Sequence, residues 1–164
     1  MRASGRAARE GLAPAVERGK RVELVPASGA RPLDSSRFEI RSAEDGVLLG
    51  SVELSRIARG NFQSAYLGYR IAAEHRGRGH MTEALQLALR HAFRTLGLHR
   101  VEANVEPGNE ASLALVRRAG FTREGFSRRY LKLGGRWRDH ERWALLREDW
   151  RPSSVRARSR PTGP

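Results

Sequence analysis

The sequence predicts an α/β protein built on a mixed, mostly antiparallel sheet with one strand–helix–strand crossover at its centre. Three observations carry the prediction. Residues 37–57 and 121–146 each read as a hairpin, around Asp45-Gly46 and Gly134-Gly135, and hairpin strands are antiparallel. Between them, Met81, Ala84, Leu85, Ala88, Leu89, Ala92, Phe93 and Leu96 recur at helical spacing. Strand-like stretches at 66–72 and 98–105 flank that helix, and such a crossover returns its second strand parallel to the first.

In chain order, residues 1–37 are rich in Ala, Arg, Gly, Pro and Ser and read as loop-like or partly disordered, with "KRVELVP" (20–26) as their single strand-like run. Phe38 and Ile40 alternate with polar residues, the chain turns at Asp45-Gly46, and Val47 to Leu54 returns. "YLGYRIA" (66–72) is a short apolar strand, and Gly97 is placed to end the helix that follows it. Val101, Ala103 and Val105 alternate with Arg100, Glu102 and Asn104 in the next strand. "PGNEASLALVRRAG" is a short helix with Asn109 as N-cap and Gly120 just past its end. The second hairpin follows, and residues 151–164 form a basic tail predicted to be disordered.

Composition narrows the function classes. The chain has 164 residues, enough for one domain with a sizeable core. It has no cysteine, which excludes disulfides, thiolate metal sites and cysteine nucleophiles. The five histidines (75, 80, 91, 99 and 140) form no metal-ligand pattern and read as surface or capping residues, so no metal is expected. Trp137, Trp143 and Trp150 read as core or edge packing. No apolar run reaches the length of a membrane span, and the N-terminus lacks the apolar region of a secretory signal, so the expectation is a cytoplasmic protein with no membrane partner. The net charge is +13, of which +7 lies in residues 1–20 and 151–164. Such tails read either as solvated ends or as a contact to RNA or the ribosome.

The stretch "EHRGRGHMTEAL" (74–85) joins a strand to the long helix through two glycines and two arginines. The first turn of a helix offers free N–H groups and a partial positive charge. Gly77 and Gly79 let the backbone approach a ligand closely, and Arg76 and Arg78 add charge. The turn therefore reads either as a tight connection or as a cradle for a pyrophosphate.

The run "YLGYRIAAEHRGRGHMTEAL" resembles the core of the GNAT N-acetyltransferases, matching at Arg76, Gly79 and Met81. From about Phe38 to Trp150 the chain is similar to the RimJ/RimL branch, which acetylates protein N-termini, and its pattern is closer to RimJ. The resemblance implies a GNAT domain over 38–150, with acetyl-CoA as cosubstrate and a protein or peptide N-terminus as acceptor. It implies that the turn from Arg76 through Gly77, Arg78, Gly79, His80 and Met81 binds the pyrophosphate. It implies that the central strand splays from its neighbour, so that pantetheine pairs along Leu67, Gly68, Tyr69 and Ile71. Asn109 would then lie beside pantetheine, and Ser112 would protonate the leaving thiolate.

The general base stays open among Glu83, Asp139 and a backbone-held water. GNAT domains begin with a strand and two helices before the first hairpin, and residues 1–37 show no helical spacing, so the N-terminal strand and both helices are expected to be shortened or missing. The acceptor side of the sheet is then expected to be open and partly apolar, and a homodimer is compatible with such a surface. The alternatives are a non-catalytic acyl-CoA-binding protein, a small-amine acetyltransferase and a basic RNA- or ribosome-associated protein.

Overall fold

The computed structural model describes residues 17–29 and 33–152. Its eight strands are β1 (Glu17–Arg18), β2 (Val22–Pro26), β3 (Ser36–Ser42), β4 (Leu48–Ala58), β5 (Ser64–Ile71), β6 (Arg100–Val105), β7 (Thr122–Leu133) and β8 (Arg136–Leu146). They form one sheet in the order β1-β2-β3-β4-β5-β6-β8-β7. Each neighbouring pair is antiparallel except β5 and β6, which are parallel and linked through helix α1 (His80–Arg90). Helix α2 (Glu110–Arg118) connects β6 to β7.

Alternation decides which face of the sheet is buried. Val22 and Leu24, Phe38 and Ile40, Val52 and Leu54 are buried on one face, and α1 packs over them with Ala84, Leu85, Ala88 and Leu89. Val101, Ala103 and Val105 extend this core beneath Leu113 and Val116 of α2. Removing a leucine such as Leu85 or Leu89 from it would cost about 2–5 kcal/mol.

Three expectations are corrected here, and one is refined. The sheet begins at Glu17 rather than near Phe38, because Val22 and Leu24 alternate with Glu23 and pair β2 to β3 across the register Val22↔Ser42 to Pro26↔Phe38. The N-terminal strand is therefore present, while among the described residues between β2 and β3 there is no helix. The open face is mixed: on β3 and β4 it carries Arg37, Glu39 and Arg41 beside Ser51, Glu53 and Ser55, with Arg41 paired to Glu39 at 2.7 Å, and exposed Leu48 stands opposite Arg41, while Leu133 and Trp137 are exposed on the β7–β8 hairpin, so the expected open, partly apolar surface lies there. The long helix is not α-helical to its end. After Arg90 it widens to a π-turn over His91–Thr95, where Leu96 N–H donates to His91 O. Gly97, at φ 66°, then terminates it as expected, with Leu98 N–H closing back on Ala92 O at 3.0 Å. Last, His91 and His140 are buried rather than surface residues, and Trp137, unlike Trp143 and Trp150, is exposed. His91 packs edge-on against Phe38, with ring centroids 5.0 Å apart. The readings that fall on residues 1–16 and 153–164 lie outside the described residues.

Candidate active site

The site begins as a defect in the sheet. Strands β5 and β6 pair over three positions, Ser64↔Arg100, Ala65↔Val101 and Tyr66↔Glu102, and then part. Strand β5 stays paired to β4 as far as Ile71, and β6 to β8 as far as Val105. Each flank of the split is thus held by an intact antiparallel ladder, while the facing backbone of Leu67–Ile71 has no strand partner on that side.

A cleft runs through the split in two connected halves. The first, of about 750 Å³, is walled by Tyr69 and Ile71 of β5, by Arg76, Gly77, Gly79, His80 and Met81 of the glycine turn, and by Asn109, Ser112 and Leu115 at α2. The second, of about 890 Å³, is walled by Tyr66, Leu67 and Gly68, by Asn104 and Glu106, and by Tyr130, Lys132, Trp137 and His140 of the β7–β8 hairpin. Tyr69, Asn109 and Ser112 line both halves and mark the point where they meet. Of the cofactor-binding and general-acid residues named from sequence, Arg78 alone lines neither half; the candidate bases Glu83 and Asp139 line neither.

The glycine turn has the geometry its composition requires. Gly77 and Gly79 have φ of 73° and 78°, a left-handed conformation that non-glycine residues adopt only with strain. Gly79 is the N-cap of α1, and no side chain caps that end. The orphan N–H groups of the first turn are therefore left for a ligand. At α2 the opposite holds: Asn109 Oδ1 accepts from the Ser112 backbone N–H at 3.1 Å, leaving the Ser112 side chain outside the capping interaction.

Three buried side-chain atoms lack a hydrogen-bond partner among the described residues: the Tyr69 hydroxyl, His80 Nδ1 and Asn104 Oδ1. All three belong to residues on the cleft walls. A buried polar atom left unpaired costs about 1–3 kcal/mol, so their convergence on one cleft fits a ligand that supplies the partners. Burial raises the Tyr69 phenol above its ordinary range, opposed by the neighbouring Ser112 hydroxyl, so Tyr69 stays a donor at neutral pH. Tyr66 is also raised, first by its hydrogen bond with Tyr130 and then by burial and Glu102.

The carboxylates considered as bases are engaged elsewhere. Glu83 accepts from the backbone N–H of Lys20 at 2.6 Å and of Arg21 at 2.8 Å. Asp139 accepts from Arg129 N–H at 2.7 Å, fixing a bulge where Arg129 has φ 46°. Sequence reasoning missed His140. It is 2% exposed, lines the second half of the cleft, and its Nδ1 lies 3.0 Å from Arg138 O. A carbonyl only accepts, so the contact places a ring proton on Nδ1, and in the neutral ring the lone pair is then on Nε2. The strand pattern shows that His140 belongs to β8 and nothing of this contact.

The acetyltransferase (GNAT) domain family matches residues 16–122. The chain is 44% identical over 112 residues to the probable N-acetyltransferase YjcK of Bacillus subtilis, covering 68% of this chain and 62% of that protein. It is 40% identical over 115 residues to the [ribosomal protein uS5]-alanine N-acetyltransferase of Escherichia coli, covering 70% and 59%. Among solved structures, Mycobacterium smegmatis RimJ in complex with CoA-disulfide superposes with a TM-score of 0.67 at 37% identity, covering 70% of this chain and 54% of that one. A spermidine N(1)-acetyltransferase of Vibrio cholerae is a more distant relative, 31% identical over 116 residues and covering 70% and 65%. The chain thus spans a little over half the length of the first three proteins. The family match starts at residue 16, in line with the early start of the sheet. With half of the chain and more inside one family, and the split sheet and glycine turn that its fold requires, the chain belongs to the GNAT acetyltransferases.

Proposed function

We propose that this chain transfers an acetyl group from acetyl-CoA to the terminal amine of a protein or peptide. One observation carries the reading: the β5–β6 split, with an uncapped glycine turn at one end and an open half-cleft at the other. The turn from Arg76 to Met81 would hold the pyrophosphate, and the free edge of Leu67–Ile71 would pair with the pantetheine amides. The unpaired atoms of Tyr69 and His80 fit such a ligand. Asn109 would flank it at the neck of the cleft.

The acceptor enters the second half as a neutral amine. Its nitrogen bonds to the thioester carbon, a backbone N–H of β5 steadies the carbonyl oxygen, and the carbon–sulfur bond breaks. Ser112 gives its hydroxyl proton to the departing thiolate and is backed by the Tyr69 phenol. His140 Nε2, directly or through one water, takes the proton that the amine loses. With no cysteine in the chain there is no acetyl-cysteine intermediate, so transfer is direct.

The choice of a peptide over a polyamine rests on charge. Arg56 and Lys132 line the acceptor half, and its one carboxylate, Glu106, faces Arg138 at 3.9 Å. A polycation such as spermidine meets net repulsion there, whereas a peptide brings a single amine. Mass spectrometry of a peptide pool and of spermidine, each incubated with the chain and acetyl-CoA, tests this. Acetylated peptide N-termini are expected. Acetylation of spermidine alone would overturn the acceptor assignment, and no transfer to either would overturn the enzymatic reading.

A further inference from the structure

We infer that Arg21, from the turn between β1 and β2, is an additional phosphate ligand of the cofactor site. The inference rests on the acetyl-CoA reading and adds to it a residue far from the glycine turn in sequence. A Cβ built on Gly79 would lie 2.6 Å from Arg21 Nη1, so the guanidinium lies against Gly79, beside the walls of the first half of the cleft rather than among them. The position is fixed from below. Both carboxylate oxygens of Glu83, one turn into α1, hold the backbone N–H groups of Lys20 and Arg21. Gly19 fits against the same carboxylate, where a Cβ would lie 2.6 Å from Glu83 Oε1. The Arg21 carbonyl accepts from Ala43 N–H at 2.8 Å, tying the turn to the end of β3. The Glu83 carboxylate is thus occupied by main-chain donors, and none of the ion pairs among the described residues involves the Arg21 guanidinium.

This is an unfavourable place for a lone cation. The N-terminus of α1 already carries partial positive charge, and Arg76 and Arg78 lie in the same turn. Without an anion, Arg21 adds repulsion; with a phosphate against the turn, it joins Arg76 and the free N–H groups at the start of α1 around that anion. Glu83 is the positioning residue: it acts on the ligand only by setting where Arg21 stands.

The test is calorimetry of CoA, dephospho-CoA and pantetheine with the full chain and its variants. Arg21→Ala is expected to weaken CoA about fivefold to tenfold at low salt, and less at ~0.5 M salt, as for one exposed charge-assisted contact. Arg21→Lys should retain part of the affinity, and pantetheine, which has no phosphate anhydride, should bind both proteins alike. Glu83→Ala should weaken CoA in the wild-type background and add little to Arg21→Ala, the non-additivity of a positioning residue. The Arg21→Ala protein without ligand should melt no lower than wild type, since the substitution relieves repulsion. Unchanged CoA affinity in folded Arg21→Ala, or equal loss for CoA and pantetheine, would overturn the inference. Failure of the wild-type chain to bind CoA would instead overturn the reading beneath it.

Discussion

Ser112→Ala separates two roles that one residue could have combined. The cap of α2 uses the backbone N–H of Ser112, held by Asn109 Oδ1 at 3.1 Å, and not its hydroxyl. Removing the hydroxyl therefore leaves the cap in place and puts a better helix former at N3, so the melting temperature should stay within about 2 °C or rise slightly. Asn109→Ala does the reverse. It deletes the cap acceptor and should cost about 1 kcal/mol, or roughly 2–4 °C in a chain of this size. For catalysis the expectation is a fall in kcat of at least ~10-fold for Ser112→Ala, toward the 10²–10⁴-fold range of positioned proton transfer, with KM for acetyl-CoA nearly unchanged. A tenfold loss corresponds to about 1.4 kcal/mol of barrier. The assay is release of free thiol from acetyl-CoA in the presence of an acceptor peptide, and a chain with no cysteine contributes no thiol background. A Ser112→Ala protein with full kcat and unaltered melting would show that the hydroxyl has no part in the chemistry.

Three further outcomes are expected. His140→Gln, which keeps a polar group of similar size but removes the ring nitrogen that would accept a proton, should lower kcat by at least ~10-fold with KM for acetyl-CoA nearly unchanged; unchanged kcat in a folded variant would exclude it as base. Gly77 has φ 73° and nothing within 4 Å of a built Cβ, and Asn and Asp both tolerate that conformation, so Gly77→Asp should bind CoA about tenfold more weakly than Gly77→Asn by charge alone. Equal calorimetric affinities would remove the phosphate from this turn. Burial holds His91 below its ordinary range in the folded chain, with Glu17 opposing, so its contribution is full above the unfolded value of about 6.5 and is lost as pH falls below it. Thermal melts from pH 7.5 to 5 should fall less steeply for His91→Phe than for wild type, and parallel curves would contradict the assignment.

What the sequence made legible follows from periodicity and turn chemistry. Both hairpins, the crossover and the two helices are readable because their apolar residues recur at 2 or 3.6 and their turns use Asp-Gly or Gly-Gly. The strand β2 was visible as "KRVELVP", but its place in the core was not, since Val22 and Leu24 show their burial only against β3 and α1. The same limit applies to the site. The glycine turn and the Asn109 cap are local and could be placed from spacing alone. The clasp of Glu83 on Lys20 and Arg21 joins residues more than 60 apart, and no local pattern reports it. Glu83 read as a candidate base, and nothing in the sequence singled out Arg21. The open side of the sheet was expected from the lack of helical spacing before Phe38; strand alternation places Arg37, Glu39 and Glu53 on β3 and β4, and the exposed apolar residues Leu133 and Trp137 fall on the β7–β8 hairpin.

The ladders on either side of the split decide how the cleft keeps its shape. A split between two strands would close or slip if either flank were loose. Here β5 is laddered to β4 over Gly50↔Ile71 to Ser55↔Tyr66, and β6 to β8 over Arg100↔Leu146 to Val105↔Glu141. The apolar face of both ladders is pinned by α1 and α2, and Arg100 ties the base of β6 to β7 through Glu124. Closing the split would require moving one laddered half-sheet against a packed core, while opening it further would break the parallel pairs at Ser64–Tyr66. The gap is therefore fixed by its borders, with the Ser112 hydroxyl and the Tyr69 phenol held at its neck. On the proposed reading, such fixed borders are where a direct acyl transfer would gain its rate, because amine and thioester would have to meet from opposite ends of one cleft.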